Sequence, residues 1–290
     1  MQKILLLIIS LLLLSGCTSH DKEKEIKIAT NKWIGYAPLF LANEDGELKE
    51  LHFHLIQNVS LAEAMEVFSI GRADIVTTTQ HEYFALKRSG SIKPVILLDR
   101  SNGGDMILSN RTIEELQKAT KIDVYLEIDS INTELFQSFA KTHHLDQNRT
   151  VFHNQDQQKI QNVENHPENA IMIVTYSPYD IPLKEKGFRT VASTKDTDTL
   201  VVVDALCARD DIIEKYHPRL KALKKVIDKA VLSIENDPHA AHQKIKKYLG
   251  NISYKEFENS LALIKWINVP SDNMMHIIRN MGYDEAAILK

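Results

Sequence analysis

The residues of this chain best suited to recognition chemistry are aromatic and acidic. Trp33 and Tyr36 follow one short strand-like run, and Tyr176 and Tyr179 follow another. Asp105, Glu127, Asp129, Asp180 and Asp204 occupy comparable places, with only Lys32 and Arg100 to set against them. Aromatic faces beside carboxylates suit a flat heterocycle or an organic cation, through stacking or cation–π contact of roughly 0.5–2 kcal/mol. A sulfonate would ask instead for converging Arg, Lys or helix N-termini. The pattern therefore predicts a pyrimidine-like or amine ligand rather than an anion.

Catalysis has little support. Neither common glycine-rich phosphate loop occurs. There is no Gly-x-Ser-x-Gly elbow to activate a serine. The carboxylates are scattered, and no acid–base pair stands out. His52 with His54 on a strand, and His239 with His242 on a helix, each place two rings on one face, but no carboxylate completes a metalloprotease arrangement. These histidines are expected at the surface. The sequence thus predicts no enzyme, no metal and no cofactor.

The 290 residues carry a net charge of -4, a mild value that argues against nucleic acid as a partner. Apolar and charged fractions are those of an ordinary globular chain of one large or two medium domains. A monomer is expected. The two cysteines are Cys17 and Cys207. Cys207 lies in the apolar run Val201–Ala208 and reads as a small buried hydrophobe.

The elements that must position the candidate residues alternate in type. Strands are predicted at Ile26–Thr30, Phe53–Gln57, Ala73–Thr77 and Lys93–Asp99. Between them fall helices starting at Ala37, with Pro38 in the first turn, at Ser60, which has glutamate three residues on, and at His81. The alternation restarts after Thr112, with strands at Ile122–Leu126, Ala170–Thr175 and Thr190–Ala192 and a helix at Ser130–His144. After Val201–Ala208 the chain reads as helical to its end, punctuated by Pro218, Pro238 and Gly250. Strands alternating with helices predict an α/β fold with mostly parallel sheets.

The first residues form a separate unit. A basic start, an apolar run from Ile4 to Leu14 and the tail Leu14-Ser15-Gly16-Cys17 have the layout of a secretory leader. The run is shorter than the roughly 20 residues of a membrane-spanning helix. Its tail resembles the lipobox of bacterial lipoproteins, in which the cysteine thiol is acylated and the preceding peptide removed. Residues 1–17 are therefore expected to be a signal peptide ending in a lipidated Cys17, followed by a polar tether over 18–25. The protein is expected in the cell envelope, lipid-anchored on the extracytoplasmic side, which is the periplasm in a Gram-negative cell.

The segment Ile26-Lys-Ile-Ala-Thr-Asn-Lys-Trp33-Ile-Gly35-Tyr36-Ala-Pro38-Leu-Phe-Leu-Ala42 resembles the first strand and helix of a receptor family. Further matches follow in order. They are Gly71-Arg-Ala-Asp74, Asp99-Arg-Ser101-Asn-Gly103-Gly-Asp105, Thr175-Tyr-Ser177-Pro178-Tyr179, His217-Pro-Arg, and Asn236-Asp-Pro238. The family is the NMT1/THI5-like solute-binding proteins of ABC importers, which include pyrimidine-precursor and aliphatic sulfonate receptors. Ser177 departs from it, because many relatives carry an acidic residue there.

The resemblance implies a type II periplasmic binding fold with two lobes joined by a two-crossover hinge. Lobe 1 would combine 26–108 with 202–290, lobe 2 would be 109–201, and the crossovers would lie near Leu108 and Leu200. Ligands in such sheets lie beyond the carboxyl ends of strands. That rule selects Asn31, Trp33 and Tyr36, then Thr78, Thr79 and Gln80, then Ser101, Asn102 and Asp105. From lobe 2 it takes Glu127, Ser130, Asn132, Tyr176 and Tyr179, and from the return strand Asp204. The implied function is capture of a small molecule for an ABC permease. A ligand-sensing subunit of a membrane sensor kinase or cyclic-nucleotide enzyme, and a sulfonate receptor, are the alternatives.

Overall fold

The computed structural model describes residues 24–196 and 200–289. Cys17, the leader, and 18–23 of the expected tether lie outside the described residues. Two sheets organise the chain. The first has the strand order β11-β4-β10-β3-β1-β2, and the second β7-β6-β8-β5-β9. The strands are β1 (Ile26–Thr30), β2 (Phe53–Gln57), β3 (Ile75–Thr78), β4 (Ile92–Ser101), β5 (Asp105–Ser109), β6 (Ile122–Leu126), β7 (Thr150–Asn154), β8 (Ala170–Tyr176), β9 (Arg189–Ser193), β10 (Val203–Arg209) and β11 (Ile264–Trp266).

Both sheets are mixed. β1 pairs in parallel with β2 and β3, and β6 with β7 and β8. The return strand β10 runs antiparallel between β3 and β4, and β5 runs antiparallel between β8 and β9. These two strands carry the chain into and out of the second lobe, which is why each opposes its neighbours. Apolar side chains fill both faces of each sheet, as expected where helices cover both sides.

The chain leaves the first sheet after Ser101 and joins the second at Asp105, so the first crossover is 102–104. The crossover thus comes earlier than the expected position near Leu108. That residue lies inside β5, paired with Ile173 of β8. The reason is local: Gly103, at φ 108°, gives a sharp turn directly after β4. The second crossover spans 194–202, between β9 and β10.

Helix starts follow the capping chemistry of the sequence. Ser60, Thr79, Thr112 and Ser130 each accept a backbone N–H of the helix they open. The long helix Asp210–Asn236 is kinked at Tyr216, because the Pro218 ring cannot fit a straight turn there. His52 sits in a left-handed turn ahead of β2, so it shares no strand face with His54. His242, expected at the surface, is buried against Tyr254 and Phe257 and hydrogen-bonds Ile252 O at 2.7 Å. Cys207 is buried in β10 beside Thr78 Oγ1, and burial pushes its thiol up to about 12. Among the described residues no helix is long and apolar enough to cross a membrane.

Candidate functional site

The two lobes meet along the ends of their strands. The meeting surface is part of one apolar cluster, which includes Trp33 and Leu61 of the first lobe and Ile131, Tyr176 and Tyr179 of the second. At its centre is a small pocket lined by Asn31, Trp33, Tyr36, Leu61, Thr79, Asp105, Ile131, Tyr176 and Asp204. It spans about 230 Å³, part of it open to solvent, and has free room for roughly one water. The lobes are thus nearly shut on their own side chains, and any larger molecule enters only when they part.

Trp33 is the wall of this pocket. Its ring meets Tyr176 edge to face at 5.8 Å, and its indole Nε1–H donates to both carboxyl oxygens of Asp99 at 3.3 Å. Two glycines make its seat. A Cβ on Gly35 would stand 2.1 Å from Asp99 Oδ2, and one on Gly104 would stand 2.4 Å from Trp33 Cη2. Asn31 Nδ2 reaches Tyr176 Oη across the lobes at 3.2 Å, and Tyr36 Oη donates to Asp204 Oδ1 at 2.6 Å.

The carboxylates are concentrated and lack cations. Asp204 on β10 stands directly opposite Asp99 on β4 in the antiparallel register. Like charges so placed repel. Burial, Asp99 and Asp105 together push Asp204 well above the carboxylate range, and burial foremost does the same for Asp99. Burial holds Asp105 up at about 7, with Glu82 adding to it. It holds Glu127 up at about 8. Asp105 Oδ2, Glu127 Oε2 and Asn31 Oδ1 are buried and, among the described residues, have no hydrogen-bond donor. Among the described residues no Lys or Arg lines the pocket.

Glu82 joins the lobes. It is fully buried, and Oε2 accepts from Thr79 N at 3.0 Å and from the Thr79 hydroxyl. Its other oxygen accepts Ile131 N, at 3.0 Å, in the first turn of the second-lobe helix Ile131–Thr142. One carboxylate therefore caps helices in both lobes. His81 reinforces the link, with Nδ1 2.7 Å from Glu134 Oε1.

The structure gathers Asn31, Trp33, Tyr36, Thr79, Asp105, Tyr176 and Asp204 from the sequence-predicted set around the pocket. The others do different work. Thr78 bonds Cys207 Sγ, and Gln80 ties Val201 O and Val203 N at the second crossover. Ser101 Oγ bonds Thr194 and accepts Asp105 N, while Asn102 N donates to Leu263 O, so both belong to the hinge. Ser130 caps its helix and bonds Glu127 O, and Asn132 Oδ1 accepts Gln157 Nε2 beneath Glu127. Tyr179 faces a second opening. Asp129 is exposed, and Asp180 is paired with Lys184 at 2.6 Å. Sequence reasoning missed Leu61, Glu82, Asp99 and Ile131. The apolar pair gives no signal of its own, but the capping position of Glu82 and the polar Asp99 closing the run Val95–Leu98 were visible cues.

No family model matches the chain, and no curated protein matches it. Solved structures do. One similar structure is the zinc-bound ligand-binding component of an ABC-type import system from Staphylococcus aureus, with TM-score 0.70 and 15% identity over 89% of this chain and 91% of that one. Another is the alkanesulfonate-binding protein of Xanthomonas axonopodis pv. citri bound to MOPS, with TM-score 0.70 and 12% identity over 88% and 89%. A third is the periplasmic nitrate-binding protein of Synechocystis PCC 6803, with TM-score 0.65 and 12% identity over 81% and 69%. These likenesses establish the periplasmic binding protein fold, with its two α/β lobes. Among the described residues no group of three His, Cys, Asp or Glu is placed to hold a metal.

Proposed function

We propose that this chain is an extracytoplasmic receptor that captures a small cationic or N–H-rich solute between its lobes and presents it to an ABC importer. The fold supports the receptor half of this reading, since similarly folded proteins are described as components of import systems or as sulfonate- and nitrate-binding. The ligand half rests on one observation: a small pocket holds buried acceptors on Asp105 and Asn31 that, among the described residues, have no donor, with Asp204 beside them and no described cation in the lining. Burying a carboxylate without a counter-charge is costly. A bound ammonium or heterocyclic N–H would supply the missing donors, and the aromatic faces of Trp33 and Tyr176 would flank it.

The action is closure, not catalysis. A ligand that meets both lobes binds the shut form better than the open one and shifts the population toward it. A permease that reads the shut form then receives loaded receptor. Within this reading the chain is a monomer of the NMT1/THI5-like type, and a lipid on Cys17 holds it beside its membrane partner, where tethering raises effective concentration.

Calorimetry with matched panels of amines, pyrimidines and sulfonates tests the ligand class, and small-angle scattering tests closure. Amines or pyrimidines should bind and compact the protein. Trp33→Ala and Tyr176→Ala should each weaken that binding at least about tenfold, a change of 1.4 kcal/mol. Tight binding of sulfonates alone would sink the ligand class. Unchanged affinity in both variants would move the site elsewhere.

A further inference from the structure

A second and larger opening lies between the lobes. Lys32, Asn58, Val59 and Gly250 line it from the first lobe, and Gln158 and Tyr179 from the second. It spans about 880 Å³, against about 230 Å³ for the inner pocket, both partly open to solvent. The two share an aromatic partition. Tyr176 lines the inner space and Tyr179 the outer, and their rings touch edge to face at 5.4 Å. On the other side the consecutive residues Asn31 and Lys32 divide the same way, one lining each space.

Their charges are opposite. Lys32 Nζ sits 3.7 Å from the centroid of the Tyr179 ring. Among the described residues it has no carboxylate and no hydrogen-bond acceptor. Lys247, in the same opening, is matched by Glu44 at 2.7 Å. Gly250, at φ +80°, lets the backbone come close, since a Cβ there would stand 3.1 Å from Lys32 Nζ. The side-chain amide of Gln158 also lines the opening and can donate to an oxyanion, whereas both hydrogens of Asn58 Nδ2 are taken by Thr30 O and Ile56 O. Partial burial brings the ammonium down to about 8, so it still carries charge at neutral pH.

We infer that Lys32 forms a second subsite, and that the ligand is a small zwitterion. Its ammonium end takes Asp105 and Asp204 in the inner pocket, and its carboxylate end pairs with Lys32 in the outer opening. This rests on the receptor reading above and narrows its ligand class.

The test is calorimetry on the mature chain with ω-amino carboxylates of graded length and the n-alkylamines of matching length. The amino carboxylate of best length should bind about tenfold or more tighter than its amine. Lys32→Gln should remove that advantage while leaving the amine unchanged, and Lys32→Arg should retain most of it. Equal binding of both ligand series to the natural protein would overturn the inference. So would an equal loss for both series in Lys32→Gln, because that is the signature of a clamp on Tyr179 alone. Binding of neutral pyrimidines alone would overturn it too, while leaving the receptor reading in place. If sulfonates alone bind, the ligand class proposed above fails and this inference fails with it.

Discussion

Asp45 and Asp204 carry the same side chain in opposite settings. Asp45 sits at the surface with Lys244 Nζ 2.5 Å away, and Glu44, Glu47 and Glu285 are likewise matched by Lys247, Lys229 and Arg279. Asp204 is buried between the lobes with Asp99 opposite it and Asp105 nearby, and its donor is a phenol. Surface pairs of the first kind are worth little, about 0–1 kcal/mol each. Buried acids of the second kind destabilise the empty protein whenever they ionise. The chain matches its charges where that matters least and leaves them unmatched where it matters most. A countercharge brought by the ligand accounts for that contrast, and each variant below probes one side of it.

The largest effect belongs to Trp33→Ala. The indole fills the space between Gly35, Gly104 and Tyr176 and supplies the N–H donated to Asp99. Removing a buried Trp costs about 3–5 kcal/mol, and here an acid is orphaned as well. Chemical denaturation should show at least that loss. A change below about 1 kcal/mol would mean that the indole is not a wall of the core. Gly35→Ala comes next, at about 1–3 kcal/mol, because its methyl group would collide with Asp99 and Trp33 together. The control is Gly46→Ala, whose Cβ meets nothing within 4 Å, so only its φ of +80° is strained. If the two substitutions cost the same, the tight seat around Trp33 is not what holds position 35.

Most of the scaffold was legible in the sequence, whereas the centre of the site was only half so. β1, β2, β6 and β8 announced themselves as apolar runs bounded by polar residues, and Ser60 and Thr112 marked helix starts. β7 and β11 escaped because an exposed edge strand, Thr-Val-Phe-His-Asn, and a three-residue strand carry no periodic signal. β5 hid behind the two glycines of the crossover. The strand-end rule found Asp105 and Asp204 but not Asp99, which comes beside Asp204 only because the β4–β10 register sets the two opposite each other. Glu82 was readable as a cap for its own helix, but its bond to Ile131 N spans the two lobes and leaves no trace in local sequence.

The unmatched acids also predict how stability follows pH. Asp105 is raised in the folded protein from 3.8 to about 7, and Glu127 from 4.5 to about 8. Below their unfolded values both are protonated in either state. As pH climbs toward the folded values, the unfolded chain ionises first, and stability is lost. His81, raised mainly by its bond to Glu134, acts in the same direction. Glu44 and Asp123 are lowered, so their contribution is already complete above about pH 5. The Tm of the empty protein should therefore fall by about 5 °C or more between pH 5 and pH 8. Asp105→Asn should flatten part of that fall and weaken amine binding about tenfold. Amine affinity in the natural protein should decline as pH drops below about 7, because protons then compete for Asp105. A Tm that rises from pH 5 to pH 8 would mean that the cleft acids are ionised in the empty fold.

The smallest effect lies on the surface side of the comparison. Lys244 and Asp45 stand close, yet the lysine side chain is 51% exposed and the aspartate 35%. Water and salt screen such a pair, and ordering two flexible side chains offsets much of its attraction. Lys244→Ala should therefore change stability by no more than about 0.5 kcal/mol, with any change shrinking further in 1 M salt. It should leave ligand affinity untouched, because neither opening between the lobes includes it. Distance alone is a poor guide to the worth of an ion pair. Lys244 is closer to its acid than Tyr36 Oη is to Asp204, at 2.5 against 2.6 Å, so equal costs for Lys244→Ala and Tyr36→Phe would erase the contrast between the two sets of acids. A Tyr36→Phe loss of about 1–3 kcal/mol, from an acid left buried without its donor, would keep it.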